Sequence, residues 1–311
     1  MVKRIAVLGN ICVDEIHTFE GEIIKGFGGT IHNHLILSLL FGKKGIIYPV
    51  CKVGYDIYDD IIKKYIPLNN IDTSGIIKVN KKNNRVKLIY YSRSERKEYS
   101  VSNPPEIKPD EVKKNINWDL FMINFVSGIE ISRKSFEQLY KMIDTTFFVD
   151  MHSLFLGFGN NGERYYREDD DWSIWHNTGD IIQMNKKEAE ILSGKKLSTE
   201  KSLIDFGTHL IGIGVEIVLI TLGEKGSIIF YRDGNNQVWE KIKAYNFYDN
   251  SYPTGCGDAF SSGFIYKYLQ SGEPVESAIF ASKIAGIKAG IKKPEDLMNN
   301  FHKYLYNFNI K

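Results

Sequence analysis

The apolar positions of this chain come in short solid runs. Residues 5–8 are apolar without a break and end at Gly9-Asn10, the pattern of a strand buried on both faces. Similar runs recur at 45–49, 120–124, 147–150, 180–184 and 215–222. Between several of them the apolar residues return every three or four positions, which predicts helices over 33–41, 58–65, 132–143, 186–192 and 199–211. Strands alternating with helices predict an α/β fold, a mostly parallel central sheet covered by helices. No Pro/Ser-rich linker or internal repeat interrupts the order, so residues 1–311 are expected to form one domain.

Two stretches break the alternation. Polar and apolar residues take turns over 17–25 and again over 85–91, the latter followed by a charged tip at 92–97 and a further strand-like piece at 98–101. Such patterning predicts half-exposed antiparallel strands in a small second sheet, spanning roughly 14–27 and 84–102. In open α/β proteins the ligand lies at the carboxyl ends of the parallel strands, and a strand insert there is suited to act as a lid. A hairpin with no such role is the plainer alternative. Paired lid strands also offer an edge through which two copies are able to form a homodimer.

The chemistry centres on Tyr252-Pro253-Thr254-Gly255-Cys256-Gly257-Asp258-Ala259-Phe260. Pro253 and the two glycines fit poorly inside a helix, so a helix is expected to begin near Gly257 and to close at Ser271-Gly272. The first amides of that helix lack internal partners, and a loop without side-chain bulk lets an anion approach them. A carboxylate beside such a nest suits phosphoryl transfer, with Asp258 taking the proton of an attacking hydroxyl. The plainer reading is a helix start with an ordinary N-terminal acid.

Composition narrows the partners. With 43% hydrophobic and 25% charged residues and a net charge of +2, nothing calls for nucleic acid or an acidic membrane. Cys12, Cys51 and Cys256 have neither metal-like nor disulfide-like spacing, which favours a reducing cytosol. The basic, then apolar start is too short for a signal peptide, and runs such as 34–41 are too short to span a bilayer, so a cytoplasmic protein is expected. His32-x-His34 does not place two ligands on one helix face, and nothing resembles a zinc cluster.

Further candidates lie early in the chain. Gly28-Gly29 lets backbone approach a ligand, and Asn33 offers a donor and an acceptor for hydroxyls, unless it simply caps the following helix. Asp14 is placed to accept hydrogen bonds from hydroxyls, although alone it also fits a turn. In chain order these elements are Gly9-Asn10…Asp14, Gly28-Gly29-x-x-x-Asn33, Val53-Gly54-Tyr55-Asp56, Asp150, Asn185-x-x-Glu188, Thr221-x-Gly223-x-x-Gly226 and Pro253-Thr254-Gly255-Cys256-Gly257-Asp258. The ordered set, over nearly the whole chain, resembles the ribokinase (PfkB) family of carbohydrate and nucleoside kinases.

That resemblance implies a ribokinase-like fold with a β-strand lid, ATP as donor and a sugar or nucleoside as acceptor. It implies Asp258 as catalytic base and Gly255, Cys256 and Gly257 as the anion hole for the migrating γ-phosphoryl. Asp14, Gly28, Gly29 and Asn33 match substrate-binding positions. Asn185, Thr221, Gly223 and Gly226 match the nucleotide side, and Glu188 matches a position acting on Mg²⁺, largely through water. Asn185 and Glu188 also read as a helix cap with its capping-box acid, and the two roles are compatible.

Two departures stand out. Tyr252 occupies a position where the family usually has an Asp belonging to a monovalent-cation loop, so potassium activation is in doubt. Cys256 stands where Ala is usual; at a helix N-terminus its thiol is expected to be acidified if exposed, but no His lies near it in sequence and the hole needs only its N–H. A third stretch, 152–175, is longer than the family segment it matches. His152, Arg164 or Arg167 is a candidate contact to the acceptor, against a solvated loop pinned by Trp172 and Trp175. The expected activity is phosphorylation of a hydroxymethyl group on a sugar or sugar-like molecule. The rivals are a nucleoside kinase, with a base stacked on Tyr90, Tyr91, Phe155 or Phe158, and a non-catalytic sugar sensor, which has no need of the base.

Overall fold

The computed structural model describes residues 1–92, 95–167, 179–248, 252–292 and 294–308. Its strands are β1 (Lys3–Leu8), β2 (Ile11–His17), β3 (Ile23–Gly29), β4 (Gly45–Gly54), β5 (Ile76–Val79), β6 (Arg85–Tyr90), β7 (Arg96–Val101) and β8 (Leu120–Asn124). After these come β9 (Phe147–Asp150), β10 (Leu156–Phe158), β11 (Arg164–Tyr166), β12 (Ile181–Asn185), β13 (Ile217–Thr221), β14 (Ser227–Asp233) and β15 (Asn236–Ile242). The helices are α1 (Ile31–Phe41), α2 (Tyr58–Tyr65), α3 (Arg133–Met142), α4 (Lys186–Ser193), α5 (Glu200–Gly212), α6 (Cys256–Ser271), α7 (Pro274–Ala289) and α8 (Pro294–Asn307).

β1 shows why the sequence carries solid apolar runs. Its side chains alternate between faces, and both faces are dry. Ala6 and Leu8 join Phe121, Phe136 from α3 and Phe206 from α5 in one core. Ile5 and Val7 join Leu37 from α1, Phe264 from α6 and Ala281 from α7 in the other. The central sheet has nine strands in the order β15-β14-β13-β12-β9-β8-β1-β4-β5. All neighbours from β13 to β5 pair in parallel, and β14 and β15 add an antiparallel edge.

The chain leaves β1 toward β4 and β5 and later returns to β8 on the other side. The strand order therefore reverses at β1 and β8, and a crevice opens at their carboxyl ends. Four further strands, in the order β3-β2-β6-β7, make a small separate sheet above it. On β6 the alternation is visible residue by residue: Val86, Leu88 and Tyr90 are buried with Cys12 and Val126, while Arg85 and Lys87 face solvent.

The lid pattern needs two corrections: the small sheet is mixed, since β2 pairs β6 in parallel while β2–β3 and β6–β7 are antiparallel, and the first strand is misplaced. Residues 17–25 do not form one strand; β2 starts at Ile11, two residues after β1 ends, and the stretch expected as strand contains the turn between β2 and β3. Gly21, at φ +89°, makes that turn, which the polar–apolar alternation does not reveal. The stretch after β9 folds back as the β10–β11 hairpin, and the bridge between Tyr99 and Glu163 joins it to the lid. Trp172 and Trp175 lie outside the described residues. Among the described residues, no helix is long and apolar enough to cross a membrane.

Candidate active site

Gly255 caps α6 at φ +80°, a left-handed conformation that any side chain would strain. A Cβ on Gly255 would also press against the His32 ring, 3.1 Å away. The first bond of α6 runs from the Ala259 amide to the Gly255 carbonyl at 3.0 Å, which leaves the amides of the preceding turn without intrahelical partners. The space above Gly257 is open, its nearest neighbour for an added Cβ being Gln183 Nε2 at 4.0 Å. This turn is suited to hold an anion.

Asp258 sits in the first turn of α6 and is half-buried. Asn124, at the end of β8, donates from Nδ2 to Asp258 Oδ1 at 2.7 Å and to Asn33 Oδ1 at 2.9 Å. Asn33 in turn donates to the Asp258 carbonyl at 3.0 Å and to the Ser261 and Ser262 hydroxyls at 3.0 and 3.2 Å. The whole Asn33 amide is thus engaged inside the protein, and its geometry is that of a strut for Asp258. Burial raises the Asp258 carboxyl above its ordinary range, while His152, the Asn124 hydrogen bond and Lys288 pull it back.

On the lid side, Asp14 of β2 is buried and accepts from the Cys12 thiol at 2.9 Å. Burial lifts it to about 6, with Glu98 adding to the rise and Arg96 opposing it. Gly28 lies directly beneath: a Cβ there would stand 1.9 Å from Asp14 Oδ2. The small sheet touches the loop before α6 through the Tyr90 hydroxyl and Thr254 Oγ1, 2.9 Å apart, and Arg96 donates to the same Tyr90 oxygen at 2.7 Å. Asp14, Arg96, Glu98 and His152 all act electrostatically on one buried region that includes Asp258.

A second acidic group lies behind the loop. Burial pushes Asp150 to about 8 and Glu188 to about 7; Asp258 and Glu188 raise Asp150 further, while His152 opposes the rise in both. Burial alone would lower His152, but Glu188, Asp150 and Asp258 outweigh it and raise the imidazole. Gln183 donates to Asp150 Oδ2 at 2.8 Å and to the Gly257 carbonyl at 3.1 Å, tying this cluster to the start of α6. Glu188 thus raises Asp150, while its own two oxygens accept from Asn185; among the described residues no three acidic, His or Cys side chains converge as a metal site.

The nucleotide-side residues expected from sequence meet at a cavity of about 530 Å³. Asn185, Thr221 and Gly223 line it together with Lys186, Lys225 and Lys241, a positive surround suited to phosphates. Gly226 stands at the end of the same turn, with its amide bonded to the Gly223 carbonyl at 3.0 Å. Asn185 and Glu188 do form a capping box: Asn185 Oδ1 accepts from the Glu188 amide at 3.0 Å, and Glu188 Oε2 from the Asn185 amide at 2.7 Å. A cavity of about 270 Å³ between the β2–β3 hairpin, Tyr90 and Pro253 is separate and contains neither Asp14 nor Asp258.

The condition for an acidified Cys256, exposure, is not met, and one candidate acceptor contact falls. The Cys256 thiol is not acidified: it is half-buried, donates to the Tyr252 carbonyl at 3.4 Å, and desolvation pushes it up, with Asp258 adding to the rise. Arg164 does not reach toward an acceptor. Its guanidinium is buried under Phe158 and donates to the carbonyls of Ser127 at 2.8 Å and of Gly157 and Leu156 at 3.2 Å. Arg167 donates to the Leu154 carbonyl at 2.6 Å, which leaves His152 as the member of this trio coupled to Asp258. Asn124 and Gln183 escaped the sequence reading because each is a polar residue within an apolar strand run.

Comparison with known proteins agrees with this geometry. The pfkB family carbohydrate kinase profile matches residues 173–296, which contain Asn185, Thr221, Gly223, Gly226 and the loop before α6. The ribokinase of Staphylococcus aureus is 37% identical over 111 residues, 35% of this chain and 34% of that protein. The chain thus spans about a third of the length of this relative. The cytidine kinase of Thermococcus kodakarensis is 24% identical over 284 residues, 88% of this chain and 91% of its own. Among solved structures, the ribokinase from Giardia lamblia shares the fold with a TM-score of 0.77 over 99% of both chains at 18% identity. The chain therefore has the ribokinase fold, and its residues 173–296 resemble the pfkB family carbohydrate kinases.

Proposed function

We propose that the chain is an ATP-dependent kinase that transfers the γ-phosphoryl group to a hydroxymethyl group of a sugar or sugar-like molecule. The observation that carries this reading is the placement of Asp258. Its carboxylate is fixed by Asn124 at 2.7 Å beside the start of α6, where the Cys256 amide turns back to the Pro253 carbonyl at 3.2 Å and the space above Gly257 is open. Asp258 removes the proton of the attacking hydroxyl, and the amides of Gly255, Cys256 and Gly257 balance the charge on the phosphoryl group. Asp14 and the backbone at Gly28-Gly29 hold the acceptor, and Asn33 keeps Asp258 in position. The donor lies along the cavity at Asn185, Thr221, Gly223 and Gly226. Mg²⁺ carried in with the donor would offset phosphate charge. The lid, already resting on Thr254, excludes water as a competing acceptor.

A sugar is favoured over a nucleoside because three of the four aromatics considered for stacking a base are engaged, Tyr91 alone of the four being exposed. Phe155 is fully buried, the Arg164 guanidinium covers Phe158 at 4.2 Å, and the Tyr90 hydroxyl is bonded to Thr254 and Arg96. The test is an ADP-release screen with Mg-ATP across pentoses, hexoses, sugar acids, sugar phosphates and nucleosides. Acceptor-stimulated release with a sugar is the expected result. Release only with nucleosides would replace the acceptor class, and silence alongside saturable sugar binding by calorimetry would point to a sensor.

A further inference from the structure

Lys288 is a lysine in an unusual place. It lies in the last turn of α7 and is 1% exposed, and among the described residues no carboxylate lies within ion-pair distance of it. A buried ammonium without a counter-ion is costly unless its protons are used. Two of the three are: Nζ donates to the Thr254 carbonyl at 2.8 Å and to the Ile291 carbonyl at 2.9 Å, and while burial lowers the pKa of the group, Cys256 and Asp258 oppose that fall. Thr254 belongs to the loop that leads into the anion-binding turn, and Ile291 follows the end of α7. One more bond, from the Tyr252 amide to the Ala289 carbonyl at 2.7 Å, closes the same seam.

The position does three things at once. The Thr254 backbone is fixed from below by Lys288, while its hydroxyl meets Tyr90 of the lid from above. The ammonium is close enough to Asp258 and to Cys256 to influence both electrostatically, so its charge stands behind the amides that would face a phosphate. It also holds the neighbouring His32 in its neutral form, after burial, which is the larger cause. Ammonium and potassium are of similar size and both are satisfied by a small set of carbonyl oxygens at such distances.

We propose that Lys288 is a built-in monovalent cation: its ammonium clamps the Thr254 and Ile291 carbonyls, orders the loop ahead of Gly255, and removes any need for a cation from solution. Lys288 is on this account a positioning residue, and its effect on turnover rests on the kinase reading above. Its structural part does not. In a Lys288→Ala variant the vacated space is lined by the two carbonyls and fits a free K⁺ or NH₄⁺ but not tetramethylammonium.

The experiment compares melting temperatures of wild type, Lys288→Ala and Lys288→Met in KCl, NH₄Cl and tetramethylammonium chloride at equal ionic strength. Wild type should melt alike in KCl and tetramethylammonium chloride. Lys288→Ala should lose stability in tetramethylammonium and regain it in KCl and NH₄Cl, while Lys288→Met, whose side chain fills the space, should not recover. With an acceptor in hand, kcat of Lys288→Ala should fall roughly 10–100-fold without K⁺, the scale of one or two charge-assisted hydrogen bonds, and recover with it, the acceptor KM moving less. A K⁺-dependent gain in wild type overturns the proposal. So does a Lys288→Ala protein that ignores cations or fails to fold in all three salts. Cation rescue of the melting temperature with no turnover by wild type would leave the clamp standing and remove the kinase reading.

Discussion

Two helices of this protein start in almost the same way and do different work. α1 follows Gly28-Gly29-Thr30, and α6 follows Pro253-Thr254-Gly255, so both begin at small residues with little bulk. The two starts lie against each other, with His32 packed on Gly255 and Asn33 bonded to the Asp258 carbonyl. At α1, however, the first turn carries no acid, and Ile31, His32, Asn33 and His34 are all buried. At α6 the first turn carries Asp258 and faces open space at Gly257. A glycine-rich helix start marks close backbone approach in both cases; what separates scaffold from chemistry is whether an acid and open space share the helix start.

The comparison breaks first at Asn33. If the α1 end acts through Asp258, Asn33→Ala removes the two amide protons shared among three acceptors on α6 and should cost about 1–3 kcal/mol of stability. It should also lower kcat by roughly 10–100-fold through displacement of the carboxylate, with a smaller change in acceptor KM. Thermal melts and steady-state kinetics check both. A rise in KM with kcat unchanged would instead make Asn33 a direct hydroxyl partner.

A smaller effect separates the acids behind α6 from the histidines of α1. Asp150 and Glu188 have folded values of about 8 and about 7, above their ordinary 3.8 and 4.5, so the native state binds the extra protons. Stability from these groups is complete at low pH and is lost as pH rises through those values. His152, also raised, acts in the same direction. Buried neutral His32 and His34 act oppositely, but only below their ordinary 6.5. Between about pH 6.5 and 8, therefore, the ligand-free protein should lose melting temperature as pH rises, and Asp150→Asn should flatten that slope.

The smallest effect is expected at Cys256. Its thiol is pushed up by burial and only the amide is needed at the turn, so Cys256→Ala should change stability by no more than about 0.5 kcal/mol and leave turnover nearly unchanged. Loss of most activity would give the thiol a part in the chemistry.

The sequence already exposes the α6 start, because Pro, two glycines and an acid in nine residues admit few backbone solutions. It also exposes the parallel sheet, since both faces of β1 are buried and the code is a plain apolar run. Asn124 and Gln183 were hidden in two ways: Asn124, the last residue of β8, looks like the strand stopping, and Gln183, in the middle of β12, is a lone polar residue in an apolar run. Lys288 was hidden differently. A lysine every few positions near the end of a helix reads as a solvated face, and only the approach of the Thr254 carbonyl shows that this one points inward. The lid was legible as alternation but not in register, because the turn at Gly21 continues the polar–apolar rhythm of its flanks.

The central claim, that Asp258 is the base at the α6 start, is tested most directly by Asp258→Asn assayed for phosphoryl transfer to the acceptor found in the screen. The account predicts a folded protein with its melting temperature largely kept, a similar acceptor KM, and a kcat lower by roughly 10²–10⁴-fold, the usual size of general-base catalysis. Turnover near that of wild type would contradict it.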